Sequence, residues 1–112
     1  YYPKDEFAPE ALDKTHQLYL QEKEYSKSAK MCDTLLKKYP DYKYRKDVYL
    51  SAASTYDYML RDTTKAKAYY NLLLKAPKLD KDTRQSVEFR LKHLHLTFDE
   101  MVELQMNNIS SK

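Results

Sequence analysis

The chain matches itself when it is shifted by 37 residues. Seven residues between positions 9 and 40 are identical to their counterparts in the second copy, whereas composition alone would give about two or three. The identical pairs are Tyr19 and Tyr56, Ala29 and Ala66, Lys30 and Lys67, Leu35 and Leu72, Leu36 and Leu73, Lys38 and Lys75, and Pro40 and Pro77. A period of this length is typical of stacked helical units, which form extended binding surfaces and rarely build catalytic centres.

The composition narrows the fold class further. The 112 residues are enough for one domain, and a content of 42% hydrophobic and 33% charged residues argues against disorder. No apolar run approaches the roughly 20 residues that a membrane-spanning helix needs. The chain contains no glycine, which excludes glycine-rich phosphate-binding and dinucleotide-binding loops and is tolerated best by an all-helical fold. We therefore expect a single all-α domain over residues 1–112.

The charge and the cysteine content leave the compartment open. The 20 basic and 17 acidic residues are interspersed and give a net charge of +3, which is typical of a solvated surface. Cys32 is the single cysteine, so no internal disulfide can form and the redox compartment is not indicated. The first residue is Tyr1 and no secretory signal follows it, so we expect a trimmed or excised segment.

Apolar periodicity and helix-capping residues predict four helices in the first two thirds of the chain. They run from Pro9 to about Glu22, from about Tyr25 to Tyr39, from about Arg45 to Leu60, and from a cap at Asp62 or Thr63 to about Lys75. Because the connections between them are short, we expect two antiparallel hairpins.

Two capping boxes predict the helices of the last third. Asp82 with Gln85 opens a fifth helix, and Thr97 with Glu100 either lies within its continuation or, as we favour, opens a sixth. The helical segment should end at about Asn107, and the residues beyond it, which lack periodicity, should fray. The apolar positions of the fifth helix are Val87, Leu91, Leu94 and Phe98.

Apolar, small and aromatic residues follow one order in both predicted hairpins. In the second they are Tyr49, Ala52, Ala53 and Tyr56, then Ala66, Tyr70, Leu73 and Pro77; in the first they are Leu12 and Tyr19, then Ser28, Cys32, Leu35 and Pro40. This order resembles the tetratricopeptide repeat, although His16 stands where a small residue is usual. The resemblance implies antiparallel hairpins stacked as a short right-handed superhelix. Its units would be residues 9–40 and 46–77, with a capping helix or helix pair at 82–107.

The end of the first unit resembles one branch of this family more than others. The 37-residue period and the Tyr39 and Pro40 ending are similar to the repeats of bacterial envelope proteins. Examples are the outer-membrane assembly lipoproteins and the periplasmic Tol-Pal-associated repeat protein. This similarity implies a periplasmic or outer-membrane-associated location and a role in a cell-envelope assembly, while a cytoplasmic location stays open.

The resemblance also implies a partner-binding groove, because the family binds peptides along its first helices. Transferred by position, the groove residues are Asp13, Gln17, Asp47, Leu50, Ser54, Asp57, Tyr58, Arg84, Val87 and Leu91. Such a groove would suit an extended or helical segment with apolar anchors and some basic residues. The alternative is that its apolar members are covered by neighbouring helices and form core. The Lys and Asn that clamp a C-terminal carboxylate in chaperone-binding members are missing from both units.

Two other function classes have some support in the sequence. Residues 37–46 contain five basic residues and three tyrosines, a combination that can contact phosphates and stack on bases. The structural alternative is a connection whose tyrosines fold onto the helices while its lysines stay in water, and this makes nucleic-acid binding the weaker hypothesis. A third hypothesis is a structural module that forms homo-oligomers or belongs to a larger complex.

Nothing in the sequence indicates catalysis, a metal or a cofactor. His93 and His95 are two residues apart, so on a helix their side chains point about 200° apart and cannot easily share one ion with His16. Cys32 falls at a packing position of the second helix, where it should be a small buried residue. We therefore expect a non-enzymatic module that binds a protein or peptide, with no catalytic residue, metal site or cofactor.

Overall fold

A computed structural model describes residues 8–110 of the chain, and it contains α-helices and no β-strand in that range. The prediction of an all-α fold is confirmed. The helices are α1 (Pro9–Gln21), α2 (Tyr25–Lys38), α3 (Arg45–Ser54), α4 (Thr63–Lys75), α5 (Lys81–Lys92) and α6 (Phe98–Ser110), with a π-helical turn (Thr55–Met59) that directly extends α3.

The helices pack in the order in which they occur in the chain. Helix α1 packs on α2, α2 on α3, α3 on α4, and α4 on α5. Short connections join α1 to α2 and α3 to α4, so each of these pairs is an antiparallel hairpin. The molecule measures 63 by 30 by 21 Å along its principal axes.

Two clusters of buried residues hold the helices together. The first joins α3 and α4 to α2 and α5 through Ala29, Ala53, Tyr56, Ala66, Tyr70, Leu73 and Val87. The second joins α2 and α3 to the connection between them through Cys32, Leu35, Tyr42, Val48 and Ala52. Because Ala52 and Ala53 are fully buried and small, α3 can approach a neighbouring helix on both sides.

The third helix differs from the continuous α-helix that the periodicity predicts. Its last turn widens, and the Leu60 N–H donates to the Thr55 carbonyl five residues earlier at 3.0 Å. The Asp62 N–H then reaches the Tyr56 carbonyl at 2.8 Å. Such π-helical turns change which way side chains point, and here the turn carries a fully buried Asp57.

The cap of the fifth helix lies two residues before the predicted one. The carboxylate of Asp80, and not that of Asp82, accepts a hydrogen bond from the Thr83 N–H at 2.9 Å. The prediction of Asp82 as the cap is therefore wrong. The helix also ends at Lys92, so Leu94 and Phe98 are not on it.

The break between the fifth and sixth helices is confirmed, together with the capping box that predicts it. The Thr97 N–H donates to the Glu100 carboxylate at 2.8 Å, and the Glu100 N–H donates to the Thr97 hydroxyl at 3.2 Å. Helix α6 then continues to Ser110, three residues past the predicted end. The last part of the segment expected to fray, residues 111–112, lies outside the described residues.

Three turns contain a residue in the left-handed conformation. Lys23, Arg61 and Lys78 have φ angles of 60°, 52° and 59°. They follow α1, the π-helical turn and α4, where the chain must reverse direction. Glycine usually fills such positions, because a Cβ atom makes this conformation unfavourable. The chain has no glycine, so long basic side chains occupy these positions instead.

Candidate functional site

Two adjoining depressions lie along the faces of α1, α3 and α5. The first, of about 380 Å³, lies between α1 and α3 and is lined by Asp13, His16, Gln17, Leu20, Tyr44, Asp47 and Ser51. The second, of about 170 Å³, lies between α3 and the start of α5 and is lined by Lys46, Asp47, Leu50, Leu73, Leu79, Asp80 and Thr83. Asp47 lines both. We call the pair the first-helix groove.

Four of the predicted groove residues line this groove. Asp13, Gln17 and Asp47 surround the first depression, and Leu50 lines the second. Asp47 and Gln17 are exposed, and the Leu50 side chain is 39% exposed although it is aliphatic. The positions transferred from the repeat family therefore lie together on α1 and α3.

Two other predicted residues are not surface residues. Asp57 is 0% exposed, and Val87 is buried in the first core cluster. The π-helical turn places Asp57 against α4 and α5, and Val87 packs on the α3 and α4 hairpin, as the core alternative for apolar members predicts. Neither side chain can contact a partner.

The remaining four predicted residues are half-buried and lie away from the two depressions. Arg84 donates to the Leu74 carbonyl at 3.1 Å, and Leu91 packs against the first core cluster. Tyr58 lines a separate depression between α5 and α6. Ser54 belongs to neither the first-helix groove nor that depression. Of the predicted residues, four on α1 and α3 line the two depressions, and none of those on α5 does.

A hydrogen-bond network forms one wall of the first depression. The Asp13 carboxylate accepts from the Tyr42 hydroxyl at 2.7 Å and from the Gln17 amide at 3.0 Å, and it lies 2.9 Å from His16 Nε2. Since a carboxylate can only accept, His16 Nε2 carries the proton. The Ser28 hydroxyl donates to the His16 carbonyl at 2.9 Å. These contacts explain how the first hairpin accommodates a histidine where the repeat pattern has a small residue.

The imidazole of His16 is buried with one nitrogen unpaired. Its Nδ1 atom has no hydrogen-bond partner among the described groups. Burial lowers the pKa of His16, and this effect outweighs the nearby Asp13 carboxylate, which raises it. A second proton would add a charge and an unpaired donor to a buried site, so the neutral form is favoured.

A buried ion pair connects the second hairpin to the end of the molecule. Arg90 donates to both Asp57 oxygens at 2.6 Å, and the Tyr70 hydroxyl donates to the same carboxylate at 2.9 Å. The Arg90 guanidinium also donates to the carbonyls of His93 and Leu96, at 3.1 and 2.7 Å. One side chain therefore fixes the π-helical turn, the end of α5 and the connection to α6. Its role is structural.

A second aspartate joins α2 to α3 and α4 in a similar way. The Asp33 carboxylate accepts from the Tyr56 hydroxyl at 2.6 Å and also from the Tyr69 hydroxyl, and Lys65 Nζ lies 3.6 Å away. Together with Asp13 and Asp57, three aspartates thus accept tyrosine hydroxyls from other parts of the chain. The sequence carries no local signal for these pairs, because their members are distant along the chain.

The basic and tyrosine-rich segment, residues 37–46, is exposed at six of its ten positions, but two of its three tyrosines pack against the helices. Tyr42 is buried, and Tyr39 packs against the second core cluster. Tyr44 stays exposed, with Lys43 Nζ 5.1 Å from its ring centre. Lys46 donates to the carbonyls of Pro77 and Lys78 at 3.2 Å. Tyr42 is thus not accessible for stacking on bases and Tyr39 is half-buried, as the structural alternative predicts.

The chemistry of Cys32 agrees with a packing role. Its side chain is buried, and burial raises the pKa of the thiol to about 12. The thiolate needed for nucleophilic or metal chemistry is therefore disfavoured. Within residues 8–110, no group of three or more His, Cys, Asp or Glu side chains could hold a metal ion. No helix in the same range is long and apolar enough to span a bilayer.

No family model, curated protein or solved structure matches this chain. The resemblance to the tetratricopeptide repeat therefore stays a prediction.

Proposed function

We propose that this chain is a non-enzymatic interaction module with repeats of the tetratricopeptide type, and that it binds a peptide segment of a partner protein along the first-helix groove. The observation that supports this most is the pair of adjoining depressions that share Asp47. As part of the same proposal, the chain belongs to a cell-envelope assembly. This is supported by the similarity of its 37-residue period to the period of envelope repeat proteins.

The chemistry of the groove favours a partner segment with a basic residue beside an apolar one. Asp13 already accepts three hydrogen bonds, so Asp47, which is exposed between the two depressions, is the carboxylate best placed to bind a lysine or arginine. The second depression is lined by Asp80 as well as Asp47 and by one basic residue, Lys46, so acidic groups outnumber basic ones there. Leu50 and the half-buried Leu79 in that depression offer contact to an aliphatic side chain.

A peptide array followed by solution binding tests this proposal. Peptides that place lysine or arginine next to leucine, isoleucine or phenylalanine are screened against the intact chain, and the best is titrated by fluorescence anisotropy. Asp47→Lys and Leu50→Ala should each raise the Kd by about tenfold or more, because each removes a central contact.

Two matched changes on another surface, at α1 and the residue that follows it, serve as controls. Leu18→Ala and Glu22→Lys alter a similarly exposed leucine and an exposed acid next to a depression that shares no residue with the groove. They should leave the Kd within about twofold of the starting value. If the groove variants bind as tightly as the unchanged chain, or if the controls lose as much, the groove assignment is wrong.

A further inference from the structure

Helix α6 exposes a stripe of large apolar side chains. Phe98, Val102 and Met106 recur every four residues and are between 41% and 60% exposed. Phe98 already contacts the Tyr58 ring, with the ring centres 5.7 Å apart. On another side of the same helix Met101 is buried. The stripe covers about 12 Å of the helix, at 1.5 Å per residue. A helix that is apolar on a second side normally packs a second neighbour there.

The charged residues of α6 itself all have one sign, and the basic Arg61 and His95 near Glu100 belong to other segments. Asp99, Glu100 and Glu103 lie on α6, and the segment Phe98–Ser110 contains no Lys, Arg or His. A surface that covers the stripe should therefore combine apolar contact with positive charge. Pairing of two α6 helices would instead bring their acidic flanks together, which is unfavourable.

The outer face of α4 has the complementary character. Thr64, Ala68 and Leu72 recur at the same four-residue spacing and are exposed, Leu72 by 43%. Lys67 and Lys75 are exposed on the same helix. The segment Thr63–Lys75 contains no Asp or Glu. The small Ala68 side chain in the middle of the stripe would let another helix approach closely.

We propose that α6 of one copy of this chain docks against the outer face of α4 of a second copy. The two stripes have equal length, and their flanks carry opposite charge. None of these six stripe residues lines the first-helix groove, so the inference does not rest on peptide binding there. A single helix-on-helix contact is small compared with a standard interface of about 1,600 Å². The association is therefore weak, with a Kd on the order of 100 µM.

A charge exchange between the two faces provides the test. One variant carries Lys67→Glu and Lys75→Glu on α4, and the other carries Asp99→Lys and Glu103→Lys on α6. Each variant alone would face a copy of itself with like charges, so its self-association constant should fall by about tenfold or more. In an equimolar mixture, every contact between the two variants again joins opposite charges. Sedimentation velocity should then show association within about threefold of the unchanged chain.

Circular dichroism and the thermal midpoint verify that both variants keep their fold. The inference is overturned if the unchanged chain sediments as a monomer up to about 1 mM. It is also overturned if the α4 variant alone associates like the unchanged chain, which would indicate pairing of α6 with itself. If the unchanged chain associates but the mixture of the two variants does not, the α4 face is excluded as the surface that binds α6, and the inference is overturned.

Discussion

Replacing Asp57 by Asn should destabilise the protein by about 3 kcal/mol, because it leaves a buried guanidinium without its counter-charge. Asp57 is 0% exposed, and Arg90 reaches both of its oxygens at 2.6 Å. Asn has nearly the same volume, so the change removes the charge and one acceptor while it leaves the packing intact. The effect is therefore electrostatic and not a cavity effect.

The magnitude follows from the surroundings of the guanidinium. Breaking a buried ion pair by removing one partner costs about 3–5 kcal/mol. Arg90 keeps the carbonyls of His93 and Leu96 as acceptors, which places this case at the lower end of that range. With an unfolding entropy of about 0.24 kcal/mol/K for a chain of this length, a loss of about 3 kcal/mol lowers the thermal midpoint by about 12 °C.

The assay is thermal and urea unfolding, followed by native-state hydrogen exchange. Because Arg90 joins the π-helical turn to α5 and α6, amides in those helices should exchange faster, while those of α1 and α2 change less. Asp33→Asn is the matched control. Asp33 also accepts tyrosine hydroxyls, but its side chain is 32% exposed and can be hydrated, so its loss should cost about 1 kcal/mol.

The reasoning is refuted if the two aspartate variants have the same thermal midpoint. It is refuted equally if the Asp57 variant loosens all helices to the same degree. Either result would mean that the buried ion pair is not what attaches the last two helices to the second hairpin.

Two further predictions concern protonation and helix capping. Since the folded-state pKa of His16 is lowered, the stabilisation from its neutral form is present above the unfolded pKa of 6.5 and is lost as the pH falls below that value. Urea midpoints between about pH 7 and 5 should therefore fall less steeply for His16→Gln than for the unchanged chain. Equal slopes would exclude His16 as the cause of the acid destabilisation. Asp80→Ala should lower the thermal midpoint by a few degrees because it removes the acceptor of the Thr83 N–H, whereas Asp82→Ala should lower it less, and the reverse order would restore Asp82 as the cap.

The sequence predicts the helices well because their signals are local. The apolar spacing and the capping residues of α1, α2 and α4 lie within a few turns of one another, and the ends of these helices fall within a residue or two of the prediction. The π-helical turn has no such signal. Its hydrogen bond from the Leu60 N–H to the Thr55 carbonyl does not change the apolar periodicity of the residues in α3 that precede it. Aspartate is a favourable capping residue at both 80 and 82, and the structure places Asp80 at the cap, with an extended backbone and a carboxylate that accepts from the Thr83 N–H.

The candidate site is predicted less completely, because burial depends on residues that are distant in the chain. Asp57 occupies a groove position by repeat numbering, but Arg90, 33 residues later, holds it in the interior. Tyr42 fits a nucleic-acid loop by composition, yet its hydroxyl bonds to Asp13, 29 residues earlier. Leu50 and Asp47, in contrast, line a surface depression, and their role in binding a partner stays a prediction.

The three left-handed turns have a consequence for how this chain can be made more stable. Without glycine, the unfolded chain samples fewer conformations, so folding loses less backbone entropy than in an average sequence. Lys23, Arg61 and Lys78 oppose this benefit locally, because a side chain in the left-handed conformation costs about 1 kcal/mol. Arg61 also donates to the buried Asp57 carboxylate at 3.1 Å, so its side chain offsets that cost. Glycine usually weakens a helical protein; at Lys23 and Lys78 it should strengthen this one.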